Sequence, residues 1–112
     1  MSFLKRSSRK NRLYFIYQDL KQNNRPAGVT LNISKTGMNI CVNTDLIQID
    51  NYLSINILPA GKDSRTALTG IHIKKIWQEP TNSNHYLRVG CQFMDLSKEQ
   101  KQILRDIIHN SF

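Results

Sequence analysis

AGVTLNISKTGMNICVN, residues 27–43, holds two alternating apolar runs joined by a short polar turn. In the first run Val29, Leu31 and Ile33 alternate with Thr30 and Asn32; in the second, Met38, Ile40 and Val42 share one face. A two-residue period marks a half-buried strand, so the stretch predicts a pair of antiparallel strands. Ser34-Lys35-Thr36-Gly37 between them has ordinary turn chemistry, because Ser bonds its own backbone and Gly tolerates φ > 0. Asn32 and Ser34 share a parity, so both side chains project from the polar face where the strand ends. Gly37 is expected either to supply a positive φ or to let another group approach the backbone closely. An amide, a hydroxyl and exposed backbone N–H groups then form a small polar cradle, suited to a nucleobase edge or phosphate oxygens. A purely structural turn and a ligand cradle both fit these residues.

The same period continues on both sides. LYFIYQDL (13–20) reads as a strand, rich in aromatic and β-branched residues. YLSINIL (52–58) sets Leu53, Ile55 and Ile57 against Ser54 and Asn56. TALTGIHIKKIW (66–77) is a long strand with Gly70 as a candidate bulge or bend, and HYLRVGCQFM (85–94) points Leu87, Val89, Cys91 and Phe93 one way. Turn residues at 23–26, 59–64 and 80–84 separate the runs. The period then changes. Ser97-Lys98-Glu99-Gln100 is a capping box, followed by Ile103, Leu104, Ile107 and Ile108 on one helical face, which predicts a helix over 97–110. Six short strands and one amphipathic helix make a small antiparallel barrel or sandwich with the helix packed on it.

At 112 residues the chain fits one domain, and 39% hydrophobic with 21% charged residues is ordinary globular composition. No run of about 18 apolar residues offers a membrane span, and MSFLKRSSRK lacks the apolar core of a secretory signal, so a cytoplasmic protein is expected. Cys41 and Cys91 lie in strand-like runs without CxxC spacing and are expected to be buried free thiols. His72, His85 and His109 show no metal-ligand spacing, and no cofactor is expected. No Ser/His/Asp set, Cys/His pair or carboxylate cluster can be assembled, which argues against an enzyme. His72 reads as a surface or barrel-wall residue. Trp77 reads most simply as a packing residue, with a lid over a bound base as the alternative. The net charge of +8 favours an anionic partner. Lys5, Arg6, Arg9, Lys10 and Arg12 crowd residues 1–12, which contain no acid; this stretch reads as a flexible basic arm ahead of a single domain over 13–112.

At these residues the chain resembles the PilZ domain family. A basic arm ending in arginine precedes a strand and then [Asp/Asn]-x-Ser-x-x-Gly, which Asn32-Ile33-Ser34-Lys35-Thr36-Gly37 matches at every fixed position. Val89-Gly90-Cys91-Gln92-Phe93 and the capped helix ending in Ile107-Ile108 are similar to the end of such a domain, and the resemblance covers residues 6–110. It implies a six-stranded antiparallel β-barrel with a C-terminal helix. It also implies a ligand, cyclic di-GMP, a bacterial second messenger with two guanines and two phosphates. By the same resemblance Arg9 and Arg12, with Arg6 in reserve, clamp guanine and phosphate, Asn32 and Ser34 contact a guanine edge, and Gly37 permits close approach. Guanidinium groups suit that task, since they read guanine O6 and N7 and hold phosphate bidentately. One position departs from the family's Arg-x-x-x-Arg: with Arg12 as its second arginine, Ser8 stands at the first, and Arg9 follows one residue later. The expected function is a bacterial cyclic di-GMP receptor that orders its arm on binding and signals to a separate downstream protein. The alternative, motivated by Ser8, is an adaptor that binds no nucleotide and works by protein contacts in motility or surface-attachment machinery. A general nucleic-acid binder is the third reading. It rests on the charge and on Tyr14, Phe15 and Tyr17, whose expected job is instead core packing.

Overall fold

The alternating runs form six strands: β1 (Tyr14–Tyr17), β2 (Gly28–Ile33), β3 (Gly37–Asn43), β4 (Tyr52–Pro59), β5 (Leu68–Pro80) and β6 (Tyr86–Met94). The computed structural model describes residues 13–20, 25–60 and 67–111. Every strand pair is antiparallel, and the strands close into a barrel in the order β1-β2-β3-β6-β5-β4. The expected choice between barrel and sandwich thus resolves to a barrel, which leaves no unpaired sheet edge. Its interior is filled from five of the six strands by Tyr14, Ile16, Ile40, Val42, Ile55, Ile57, Leu68, Ile71, Ile73 and Val89, all essentially inaccessible to solvent, and β2 adds the buried Ile33.

The helix α1 spans Lys98–Ser111. Its capping box forms as the sequence predicts: the Gln100 backbone N–H donates to Ser97 Oγ at 3.1 Å, and the Ser97 backbone N–H donates to Gln100 Oε1 at 2.9 Å. Gln100 also donates through Nε2 to the Thr69 carbonyl at 3.0 Å, which ties the helix start to β5. Leu104 and Ile107 bury the helix's apolar face in the barrel core.

Three register irregularities correct the simple alternation. In β2 the pairing with β3 shifts between Thr30 and Asn32, so Leu31 is an extra residue and half exposed instead of facing the core with Ile33. In β4 and β5 the pairing shifts between Ile55 and Ile57. There Asn56 is buried, not on a solvated face with Ser54. Its Oδ1 accepts from the Gly70 N–H at 2.8 Å and its Nδ2 donates to the Tyr17 carbonyl at 3.3 Å, satisfying the buried amide. Gly70 has φ +62°, a left-handed conformation that glycine adopts without penalty, and so makes the expected bulge. The third shift lies in β5 between Lys75 and Trp77 and bulges Ile76 outward.

Of the cysteines, Cys91 is buried. Cys41 is only half-buried, because its parity on β3 opposes that of Ile40 and Val42. His72 is exposed, as expected, and pairs through Nδ1 with Ser54 Oγ at 2.8 Å.

Candidate functional site

The two bulges at Leu31 and Ile76 do more than bend strands. A strand's side chains alternate faces, so one extra residue reverses the face of everything beyond it. Without Ile76 as an insertion, Trp77 would share the parity of Ile71 and Ile73 and enter the core. With it, Trp77 pairs with Gly90 on the outside of the barrel. Likewise the Leu31 insertion turns Ile33 inward and Asn32 outward, opposite Asn39. Asn39 in turn pairs with Gly90. The result is one continuous outer row across four strands: Asn32, Asn39, Gly90, Trp77.

That row floors an open pocket of about 220 Å³, lined by Asn32, Ser34, Gly37, Asn39, Ile76, Trp77 and Gly90 among others. The Trp77 indole lies directly on Gly90, so a Cβ there would collide with the ring. Gly90 is therefore the seat of the tryptophan, and 38% of Trp77 remains exposed to the pocket side and solvent. Among the described residues neither the Asn32 nor the Asn39 amide has a hydrogen-bond partner, so their donors and acceptors are open to a ligand.

The polar turn between β2 and β3 is tightly organised. Ser34 Oγ donates to the Gly37 carbonyl at 3.2 Å and lies 3.3 Å and 3.4 Å from the N–H donors of Gly37 and Thr36. The Ser34 N–H donates to the Gly37 carbonyl at 2.8 Å. Ser34 thus closes the turn, as ordinary turn chemistry requires. Gly37 does not adopt a positive φ. Of its two expected uses, the second applies: the β6 backbone presses so close at Cys91 that any Cβ would strike the Cys91 carbonyl.

Asn32, Ser34 and Gly37 therefore come together at one site. Arg6, Arg9 and Arg12 lie outside the described residues. The antiparallel pairing of Phe15 with Val29 and Ile16 with Gly28 means that β1 starts toward the end of the barrel where β2 finishes. Leu13, the residue after Arg12, is fixed there by accepting the Ala60 N–H at 2.8 Å. Asn39 and Ile76 were not singled out by sequence. Asn39 was legible in part, since its parity opposes Met38 and Ile40, but only pairing across β2, β3 and β6 brings it beside Asn32.

Little else offers chemistry. The Cys91 thiol is pushed up to about 12 by burial and keeps its proton. His85 Nδ1 pairs with Asp45 Oδ2 at 2.9 Å on an open surface. Among the described residues no cluster of His, Cys, Asp or Glu is arranged to hold a metal ion, and no helix is long and apolar enough to cross a membrane.

In comparison with known families, the model of the PilZ domain matches residues 5–110, nearly the whole chain. Among curated proteins no match was found.

Proposed function

The chain belongs to the PilZ domain family, a family of cyclic di-GMP receptors and adaptors, and from that premise we propose that it binds cyclic di-GMP at the Asn32–Trp77 row and passes the signal to a separate protein. What carries the reading is the convergence of Asn32, Ser34 and Gly37 with Asn39 and Trp77 around one open pocket. A guanine edge offers N1–H and N2–H donors and an O6 acceptor, and unpartnered amides at Asn32 and Asn39 complement both kinds of group. The exposed indole gives a flat apolar surface on which a purine can stack. Ser34 acts mainly through the turn, holding the Thr36 and Gly37 backbone in place.

The arm supplies the charge. Arg12 precedes Leu13 at the pocket's end of the barrel, with Arg9 three residues earlier and Arg6 in reserve. Arginines close over phosphates and guanine with bidentate hydrogen bonds, and fixing them on the ligand orders the segment that bears them. The surface presented by the ordered arm is then the signal. In this reading the protein is not an enzyme and works in the bacterial cytoplasm.

Calorimetric titration of cyclic di-GMP into the full chain, with GTP as control, tests the reading. Saturable binding selective over GTP, weakened at least about tenfold in Arg12→Ala, is expected from the loss of charge-assisted contacts. Absence of binding at high ligand concentration overturns it and favours the adaptor reading, in which Ser8 in place of arginine marks a site without nucleotide.

A further inference from the structure

Ser34 and Gly37 line the pocket above, but Lys35 and Thr36 of the same turn line a different hollow. It runs between the turn and the first half of α1, as two adjoining cavities of about 630 Å³ and 210 Å³ that share Lys35, Leu96 and Lys101. In the narrower cavity Leu96 and Leu104 give an apolar floor, and Arg105 adds a third cation to Lys35 and Lys101. Lys101 and Arg105 stand four residues apart and so on one stripe of α1, both exposed. Arg105 is steadied by donating to Gln102 Oε1 at 2.7 Å. One acid, Asp95, stands at the rim, in the left-handed conformation (φ 52°) that turns the chain from β6 toward the helix.

The geometry points to this groove as a docking site for an acidic, amphipathic segment of a partner protein: leucine-like side chains seated on Leu96 and Leu104, and carboxylates on Lys35, Lys101 and Arg105. The occupant follows from the combination of surfaces. Three cations around the floor select a negatively charged partner. Thr36 and Gln92 add polar groups to the wider cavity, but the apolar floor of Leu96 and Leu104 in the narrower one favours a peptide over a nucleic-acid backbone, whose contacts are chiefly polar and electrostatic. The site needs neither Asn32 nor the arm and does not depend on the nucleotide reading.

The test uses a fluorescein-labelled, 14-residue designed helix with leucine at i, i+3, i+4 and i+7 and glutamate elsewhere, titrated into the full chain by fluorescence anisotropy. The expected result is saturable binding, weakened about tenfold by Lys101→Glu/Arg105→Glu and lost when the peptide leucines become serines. Both substituted residues are exposed, so an unchanged thermal melt establishes that the variant folds. The same variant titrates with cyclic di-GMP as the parent does, which separates failure here from failure of the nucleotide site. No saturable binding, equal binding of the serine peptide, equal binding of an oligothymidine of matched charge, or indifference to the double charge reversal each overturns the proposal. The last outcome would assign the attraction to the basic arm.

Discussion

β3 and β6 are joined by a single ladder whose two faces lead different lives. On the inner face Met38 pairs with Cys91, Ile40 with Val89 and Val42 with Leu87, every member apolar. On the outer face Gly37 pairs with Gln92, Asn39 with Gly90 and Cys41 with Arg88, every member small or polar. The backbone hydrogen bonds are common to both, so the ladder that closes the barrel also spaces the floor of the pocket. The inner side chains stabilise the fold by leaving water, and the outer ones contribute little to it. Substitutions of neighbouring residues on these two faces should therefore separate stability from binding.

The two cysteines give the largest contrast. Cys91 faces in and Cys41 faces out on adjoining strands of this ladder, half-exposed beside Arg88. In native protein a thiol reagent should modify Cys41 at least about 10³-fold faster than Cys91, which reacts only when the barrel opens, and denaturant should abolish the difference. Comparable native rates would show that the inner face is not sealed. Stability carries the same signature. The Cys91 thiol is raised from its ordinary 9.0 to about 12 by burial. The unfolded chain ionises first, so this group's contribution is complete below pH 9 and is lost as pH rises toward 12, by about 1.4 kcal/mol per unit. Cys91→Ala should lose less stability than the parent between those limits, whatever its stability at neutral pH.

Next in size is Ile40→Ala. Ile40 is fully buried between Thr30 and Val89, and removing its methyl groups leaves a cavity, so stability to urea should fall by about 2–5 kcal/mol with little change in m. A loss below about 1 kcal/mol would mean that the barrel interior collapses around the gap. Gly90→Ala comes third and probes the outer face at its tightest point. The new methyl is driven into the Trp77 indole, which must tilt away at a cost of about 1–3 kcal/mol. Trp77 is the chain's one tryptophan, so its emission should shift to the red as the ring leaves its seat. Unchanged emission with unchanged stability would contradict the stacked arrangement.

Most of the inner face was legible in sequence, because an uninterrupted two-residue period can be read from the chain alone. Met38, Ile40 and Val42, and Leu87, Val89, Cys91 and Phe93, are buried or half-buried as that period predicts. The helix was legible too, down to the reciprocal Ser97–Gln100 cap, since its signals are local. The period misled at Leu31 and Asn56, and at Trp77 it does not reveal which face the packing residue takes, in each case at a bulge. A bulge is fixed by pairing with a neighbouring strand and carries a local signal only where a glycine such as Gly70 needs φ > 0. The candidate site was half visible for the same reason. Asn32, Ser34 and Gly37 form a contiguous motif, whereas Asn39, Gly90 and Trp77 join them only through register across four strands. At the β5 bulge the broken alternation moves Trp77 from the core parity to the pocket, whereas the irregularity at Asn56 turns an amide inward to the core.

The smallest expected effect on stability decides whether the two faces are independent. Asn39 is flanked in sequence by the buried Met38 and Ile40, yet its amide has no partner among the described residues and lines the pocket. Asn39→Ala should leave stability within about 0.5 kcal/mol of the parent, because no buried contact or hydrogen bond is removed. It should weaken cyclic di-GMP about three- to tenfold, the worth of one hydrogen bond to the ligand, and Asn32→Ala should do the same. A parent-like affinity in Asn39→Ala with a loss in Asn32→Ala would confine the ligand to the turn and take the β3–β6 ladder out of the site. A loss of stability beyond about 1 kcal/mol would show instead that the outer face of this ladder carries part of the fold.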